Sequence, residues 1–257
     1  MLALPSLLAP RLVPPAKEDA TTDPMTTPPS LPRLSVVLMA YNEAASVDAV
    51  AREIHDELVR LGATYELLVV DDGSADGSGG IVDQLGRTLP CTRALHHEGN
   101  RGLGAVYRTG FAEARGELLT FFPADGQFPA TIIGQYLGAI ADADLILGTL
   151  PQRRDALLGR VLSFTERVLL RALFGQFPRF QGIVMFRRAL LDRMTLVSRG
   201  RGWTVLMELI LRAQRDGARI KNLPITLRPR ASGASKVNNL RNIASNLQQV
   251  LALRLHL

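Results

Sequence analysis

The sequence predicts an α/β fold in which a mostly parallel sheet is flanked by helices, with amphipathic helices towards the C-terminus. Short apolar runs rich in β-branched residues alternate with longer segments whose apolar residues recur at helical spacing. The runs are almost continuously apolar, as expected for strands that are covered on both faces. The 257 residues, 47% of them hydrophobic, suffice for one large domain or two small ones.

Strands and helices are predicted to alternate through the first half of the chain. The apolar runs predict strands at 34–40, 65–73, 92–96, 117–122 and 143–148. Helical spacing predicts helices at 45–61, 78–88, 103–115 and 129–140. The second half is more helical, with helices at 157–173, 203–215 and 240–257 and strands at 183–186 and 219–227. Helices 157–173 and 240–257 are amphipathic, which suits packing on the domain or lying in a membrane interface.

Three parts of the chain differ in composition. Residues 1–33 hold most of the prolines, with Thr and Ser between them, and are predicted to be a disordered tail. Residues 34–238 form the predicted α/β domain, and 239–257 a separate amphipathic helix.

Cysteine content and hydropathy limit the cellular setting. A single cysteine, Cys91, excludes an internal disulfide framework and a multi-cysteine zinc site. No apolar run reaches the roughly 18 residues of a spanning helix. The apolar N-terminus is broken by prolines and lacks a basic region before it, so no signal peptide is expected. We expect a cytoplasmic protein, and peripheral contact with the cytoplasmic membrane face stays open.

The net charge of +6 is concentrated near the C-terminus. No acidic residue follows Asp216, whereas seven basic residues do: Arg219, Lys221, Arg228, Arg230, Lys236, Arg241 and Arg254. This stretch suits an anionic surface or a phosphate ligand. The 27 Arg against 3 Lys also fit a compositional bias, which does not explain the missing acids. Nucleic-acid binding is not expected, because aromatic residues are not interleaved with the basic ones.

Polar clusters follow three of the predicted strands: YNE at 41–43, DDGS at 71–74 and DGQ at 125–127. Ligands of parallel sheets bind beyond the carboxyl ends of the strands, so these clusters are expected on one edge. The structural alternative is that the acids cap the following helices.

The clusters carry oxygen ligands and hydrogen-bond acceptors. Asp125 and Gln127 can aim oxygen atoms at one Mg²⁺ or Mn²⁺ ion, whose shell water and substrate phosphates would complete. Asp71 and Asp72 can accept hydrogen bonds from a base or a ribose. The segment 100–104 precedes a helix, where free N–H groups favour an anion.

Five motifs carry a family resemblance: AYNE (40–43), DDGSADGS (71–78), NRGLGAVYRTGFAEARGE (100–117), ADGQFP (124–129) and RASGASK (230–236). In this order the chain resembles family 2 glycosyltransferases over about residues 34–250, in particular dolichyl- or polyprenyl-phosphate sugar synthases that transfer mannose or glucose. The resemblance implies a GT-A fold, which is Rossmann-like. The alternative that GNRGLG (99–104) binds a dinucleotide is weak, because it follows the third strand and not the first.

The resemblance also implies roles for individual residues. It assigns nucleotide contacts to Ala40, Tyr41, Glu43 and to Asp71 or Asp72. It implies that Asp125 and Gln127 bind a divalent metal, Mg²⁺ or Mn²⁺, and that the acceptor phosphate binds Arg230, Ser235 and Lys236. The catalytic residues that it implies are Asp125, Arg230 and Lys236. Glu208 matches a family position, although its helical neighbours equally indicate a structural role.

The implied reaction is an inverting transfer from a GDP- or UDP-linked sugar to a polyprenyl phosphate. Pro123 replaces the first acid of the family's Asp-x-Asp pair, and two arginines are absent, near Leu150 and within 181–184. These departures keep two alternatives open: a transferase with a sugar-hydroxyl acceptor, and a catalytically silent nucleotide-sugar or lipid-binding relative. The sequence determines neither the oligomeric state nor a partner subunit.

Overall fold

The computed structural model describes residues 32–150, 171, 173–175, 178, 180–229 and 249–254. Their centre is one sheet with the strand order β3-β2-β1-β4-β6-β5-β7. The strands are β1 (Leu34–Ala40), β2 (Tyr65–Asp71), β3 (Thr92–His96), β4 (Leu118–Pro123), β5 (Leu145–Thr149), β6 (Val184–Arg187) and β7 (Ile220–Pro224). Strand β6 is antiparallel to β4 and β5, and the other described pairings are parallel. The expected mostly parallel α/β sheet is confirmed.

Helices cover both faces of the sheet. They are α1 (Val47–Arg60), α2 (Ser78–Thr88), α3 (Leu103–Glu113), α4 (Ile132–Ala139), α5 (Arg188–Asp192) and α6 (Thr204–Arg215), and a 3₁₀ turn at Ile140–Asp142 follows α4. Apolar residues of α1, α2 and α4 share one core with one face of the strands, and those of α3, α5 and α6 share another. Within β1, Val36 faces the first core and Val37 the second, because successive side chains point to opposite faces.

Most elements lie where the hydrophobic pattern predicts them, and the differences are at the ends. The strand predicted at 219–227 ends at Pro224, which has no N–H to donate to a neighbouring strand. Helix α5 was not predicted, since its five residues are too few for a helical period to show. The predicted tail 1–33 and helix 157–173 lie largely outside the described residues.

The end of the chain is described at 249–254, which is helical. Val250 and Leu253 are buried there against Met207 and Leu211 of α6, so this part of the predicted helix 240–257 packs on the domain. Among the described helices, none combines the length and the apolar character needed to cross a bilayer.

The topology brings the predicted polar clusters to one edge. Strands β1, β2, β3 and β4 are parallel, so the loops that follow them lie at the same end of the sheet. The strand order runs outward from β1 in one direction to β3 and in the other to β4. Such a reversal opens a crevice at the carboxyl ends of the two central strands.

Candidate active site

The loops after β1 and β2 are joined by hydrogen bonds. The Asn42 N–H donates to Ser74 Oγ at 2.8 Å, and the Ala75 N–H donates to Asn42 Oδ1 at 2.9 Å. The Glu43 N–H donates to Ser78 Oγ at 2.9 Å. Asn42 has a φ of 51°, a left-handed conformation that Asn tolerates better than most residues. The two predicted clusters therefore form one rigid unit.

Asp76 fixes the same unit through its carboxylate. It accepts hydrogen bonds from the Ala44 N–H at 3.0 Å, the Ser78 N–H at 3.0 Å and Ser78 Oγ at 2.6 Å. Burial raises the pKa of Asp76, but these hydrogen bonds outweigh burial and the net pKa lies below its usual value. Asp76 therefore binds the N–H of Ser78, the first residue of α2, and joins it to the loop after β1.

Asp72 is almost fully buried and anchors the loop after β3. Its Oδ1 accepts hydrogen bonds from His97 Nδ1 at 2.7 Å and the Arg101 N–H at 2.9 Å. Its Oδ2 accepts from Asn100 Nδ2 at 3.1 Å and the Gly102 N–H at 2.8 Å. A carboxylate has about four acceptor sites, so these four hydrogen bonds occupy all of them. Asp72 thus shapes the loop, and of the predicted pair Asp71 is the better candidate for a nucleotide contact.

The same bonds correct the expectation of an external anion at 100–104. The N–H groups of Arg101 and Gly102 already bind Asp72, and the Gly104 N–H donates to the Arg201 carbonyl at 2.8 Å. The protein itself therefore supplies the oxygen atoms at the start of α3.

The other predicted nucleotide residues lie at the same edge. Asp71 is buried and accepts hydrogen bonds from the Ser74 N–H and Oγ, and its Oδ2 lies 3.5 Å from His96 Nδ1. The Ala40 carbonyl accepts the Asp72 N–H at 2.9 Å, and Tyr41 is exposed beyond the strand end.

The third cluster follows β4 as a tight turn. Gly126 has a φ of 74°, and the Gln127 N–H donates to Asp125 Oδ1 at 3.1 Å. Ser46 Oγ donates to the Ala124 carbonyl at 2.7 Å, which ties this turn to the loop after β1. Asp125 is 7% exposed, so its carboxylate is held in a defined position beside the crevice.

The donor chemistry of this turn fits a hard divalent cation. Asp125 and Gln127 offer carboxylate and amide oxygen atoms, which Mg²⁺ and Mn²⁺ bind. Pro123 ends β4 and has no side-chain oxygen. Among the described residues no group of three or more His, Cys, Asp or Glu could hold a metal ion. An ion bound there would need phosphate or water oxygens to complete its shell.

The chain returns to this turn after β7. The Arg228 N–H donates to the Gln127 carbonyl at 2.8 Å, and Arg228 Nη1 donates to Glu53 Oε2 at 2.8 Å. The predicted phosphate residues Arg230, Ser235 and Lys236 follow in sequence and lie outside the described residues.

Glu208 has the structural role that its helical neighbours indicated. It is fully buried and accepts hydrogen bonds from the Val197 and Ser198 N–H groups and, at 2.9 Å, from Arg212 Nε. Burial raises the pKa of Glu208, but these bonds outweigh burial and lower it overall. The carboxylate thereby fixes the loop that leads into α6.

Sequence reasoning missed His97, which lies buried between two partners. Its Nδ1 donates to Asp72, and its Nε2 lies 2.9 Å from Thr109 Oγ1 on α3. A signal was present, because His96 and His97 stand at the end of the correctly predicted strand 92–96.

Curated relatives match most of the chain. Polyprenol monophosphomannose synthase of Mycolicibacterium smegmatis is 30% identical over 253 residues, covering 91% of this chain and 90% of that protein. Undecaprenyl-phosphate mannosyltransferase of Micrococcus luteus is 28% identical over 223 residues, covering 80% of this chain and 88% of that protein.

Solved structures share the fold. Glucosyl-3-phosphoglycerate synthase of Mycobacterium tuberculosis, in complex with Mn²⁺, UDP and glucosyl-3-phosphoglycerate, superimposes with a TM-score of 0.61 at 23% identity, covering 85% of this chain and 80% of that one. The same enzyme with Mg²⁺ and UDP gives a TM-score of 0.63 at 21% identity, covering 85% and 79%. At these identities the likeness concerns the fold, which is GT-A as the resemblance implied.

The family profile described as Glycosyl transferase family 2 matches residues 35–194. This range includes the loops after β1, β2, β3 and β4, whose side chains build the carboxyl edge. With its GT-A fold and a family match over more than half of its length, the chain belongs to glycosyltransferase family 2 and is a glycosyltransferase.

Proposed function

We propose that this glycosyltransferase moves a sugar from a GDP- or UDP-linked donor to a polyprenyl phosphate, with inversion at the anomeric carbon. The observation that carries the proposal is the match to polyprenol monophosphomannose synthase over nine-tenths of both chains. A contact in the structure also supports it: the Arg228 N–H donates to the Gln127 carbonyl, and Arg228 stands two residues before Arg230.

The donor nucleotide is proposed to lie over the carboxyl ends of β1 and β2. The proposed contacts come from the loop unit held by Asn42 and Asp76, namely Ala40, Tyr41, Glu43 and Asp71. Asp72 acts on the donor indirectly by fixing the loop 97–102 beside it. Because cross-loop hydrogen bonds already order these segments, the donor would bind to a largely preformed surface.

Asp125 and Gln127 are proposed to hold Mg²⁺ or Mn²⁺ against the donor diphosphate. A bound divalent ion would neutralise charge that develops on the departing diphosphate. The buried setting of Asp125 supports this role, because the attraction between opposite charges is stronger where water is excluded. Only one acid is available in the turn, so we expect affinity for the metal alone to be low and to rise when the donor diphosphate is present.

The acceptor phosphate is proposed to bind Arg230, Ser235 and Lys236. A phosphate monoester has a second pKa near 6, so its oxygen is already anionic at neutral pH. This oxygen forms a bond to the anomeric carbon while the bond from that carbon to the diphosphate breaks on the opposite face. No side chain has to remove a proton, and the enzyme contributes positioning and fixed positive charge.

Two acids at the carboxyl edge are poorly placed to serve a sugar-hydroxyl acceptor. A hydroxyl acceptor would require a carboxylate that is available as a general base. Asp72 and Asp76 accept four and three hydrogen bonds from the protein, which leaves them poorly suited to that role.

The test is to incubate the full chain with GDP- and UDP-sugars, polyprenyl phosphate and Mg²⁺ or Mn²⁺, and to measure the product by mass spectrometry. We expect one donor to give a glycosyl phosphate lipid, and Asp125→Asn to lower turnover about 100-fold or more. Asp192→Asn, an exposed acid on α5, is the control and should leave turnover unchanged. The proposal is wrong if no donor gives a lipid product, and the metal role is wrong if Asp125→Asn retains full turnover.

A further inference from the structure

Four arginines gather where α3 begins. Arg101 lies two residues before the helix, Arg108 lies on it, and Arg199 and Arg201 come from the loop 196–203. Arg108 Nη1 donates to the Ser198 and Gly200 carbonyls at 3.4 and 3.2 Å, which joins the loop to α3. Burial lowers the pKa of Arg108, and the nearby charges of Arg199 and Arg101 lower it further.

These four charges have no acidic partner within the part of the chain that the structure describes. The basic residues after Asp216 differ in this respect. Arg219, Lys221 and Arg228 form ion pairs with Asp144, Asp142 and Glu53 at 2.9, 3.0 and 2.8 Å. A cluster of four arginines without an acidic partner therefore lies at the start of α3, whereas three of the basic residues after Asp216 are paired.

Exposed apolar side chains border the arginines. Leu103 is 39% exposed beside Arg101, and Val197 is 39% exposed beside Arg199. A cavity of about 190 Å³ lies between the loop 196–203 and the helical segment 249–254, and its lining includes Val197 and Arg199.

We propose that this arginine face, made by Arg101, Leu103, Val197, Arg199 and Arg201, docks the enzyme on a membrane that contains anionic phospholipids. The inference rests on the proposed polyprenyl phosphate acceptor, whose phosphate lies at such a surface. Positive charge attracts anionic headgroups, and apolar side chains between the charges enter the interface. A small soluble anion would use the charges but would leave the apolar side chains in water.

The position of the face suits this role. The Arg101 N–H binds Asp72, and Arg201 Nη2 donates to the Asn100 carbonyl at 2.9 Å, so the face adjoins the loop at the carboxyl edge of the sheet. Docking through this face would bring the proposed active site to the layer where the acceptor phosphate lies.

The test measures sedimentation of the full chain with vesicles of phosphatidylglycerol and phosphatidylcholine in equal parts, without donor or acceptor. Arg101→Gln with Arg199→Gln removes two charges whose side chains form no hydrogen bond with the residues that the structure describes. The matched control is Arg87→Gln with Arg115→Gln, which removes two exposed charges at the opposite edge of the sheet. A basic residue near an anionic membrane contributes roughly a factor of five in binding, so the first variant should bind about tenfold or more weakly than the control.

A second comparison tests the apolar side chains. Val197→Ser should weaken vesicle binding, whereas Val59→Ser, at a residue 58% exposed on α1, should not. Unfolding temperatures should match within each pair. A wild-type chain that stays in the supernatant, equal binding of both arginine variants, or equal binding to pure phosphatidylcholine would overturn the proposal. None of these outcomes depends on catalysis, so absence of a lipid product with intact vesicle binding would reject the proposed function alone.

Discussion

At the scale of single residues, the site depends on the close approach of the loops after β2 and β3. Gly73 has a φ of 68°, and a Cβ built on it would lie 2.4 Å from backbone atoms of Gly99. Gly62, in the turn after α1, has a similar φ of 62° but open space around it. A substitution at Gly62 therefore measures backbone strain alone, whereas one at Gly73 measures strain together with steric crowding.

We predict that Gly73→Ala destabilises the protein much more than Gly62→Ala. Left-handed strain alone costs about 1–2 kcal/mol for a residue with a Cβ. At Gly73 the methyl group also collides with backbone, and crowding of this kind adds roughly 1–3 kcal/mol. Urea unfolding should therefore give a loss for Gly73→Ala at least about 1 kcal/mol larger than for Gly62→Ala. Equal losses would show that the loops separate without cost.

The sequence could locate the acids at the site but not their partners. A buried strand followed by Asp71 and Asp72 is enough to place both acids on the carboxyl edge. Whether each carboxylate is available depends on His97, Asn100 and the N–H groups nearby, which are 25 to 30 residues away in sequence. Local patterns carry no information about such contacts, so the role of Asp72 in fixing a loop becomes visible only in the fold.

At the scale of elements, hydrophobic spacing predicted the type of most segments and left their neighbours undetermined. Strands β1 and β3 and helix α2 have the bounds that the pattern predicts. The insertion of β6, antiparallel, between β4 and β5 could not be predicted, because a buried apolar run has the same composition in either direction. Pairing depends on which faces pack together, and this is a property of the whole sheet.

The edge strand β7 is joined to the sheet by an ion pair as well as by its backbone. Asp144, directly before β5, accepts hydrogen bonds from the Arg219 N–H and from Arg219 Nη2, both at 2.9 Å. The Arg219 side-chain hydrogen bond, with help from its N–H, lowers the pKa of Asp144 to about 2. An unfolded aspartate titrates near 3.9, so the folded state binds its proton less readily.

We predict an acid-sensitive contribution to stability at this edge. Because the folded pKa lies below the unfolded one, Asp144 stabilises the fold above pH about 4, and this stabilisation disappears as the pH falls to about 2. Arg219 is largely exposed, which limits the effect to about 1 kcal/mol. The free energy of unfolding of wild type minus that of Asp144→Asn should fall over this range. In the control variant Asp142→Asn, changed at a residue that is 78% exposed, most of the acid-dependent fall in the free energy of unfolding should remain. A difference between wild type and Asp144→Asn that does not vary with pH would contradict the prediction.

At the scale of the whole molecule, the distribution of charge differs from the one that the sequence suggested. The acid-free stretch after Asp216 was expected to present a basic surface, and this is wrong for Arg219, Lys221 and Arg228, which pair with upstream acids. Counting charges along the chain cannot detect these pairs, because they join residues 75 to 175 positions apart. The arginine face is equally hidden in sequence, since the loop 196–203 contacts Arg108 of α3 from about 90 residues away.

The amino-terminal limit of the folded unit gives a last prediction. Residues 32 and 33 belong to the sheet by their hydrogen bonds: the Pro32 carbonyl accepts the Glu117 N–H at 3.3 Å, the Arg33 carbonyl accepts the Leu118 N–H at 2.9 Å, and the Arg33 N–H donates to the Thr64 carbonyl at 2.9 Å. Composition predicts that residues 1–30 bury little apolar surface. Deleting 1–30 should therefore leave the unfolding temperature unchanged.

Deleting 1–33 removes these three backbone hydrogen bonds, at roughly 1 kcal/mol each, and exposes the start of β1. We expect this longer deletion to lower the free energy of unfolding by about 2–4 kcal/mol and to lower the unfolding temperature accordingly. Calorimetry of the two deletions beside the full chain measures both effects. If the shorter deletion were as damaging as the longer one, the folded unit would include part of the tail, and its composition would be a poor guide to its structure.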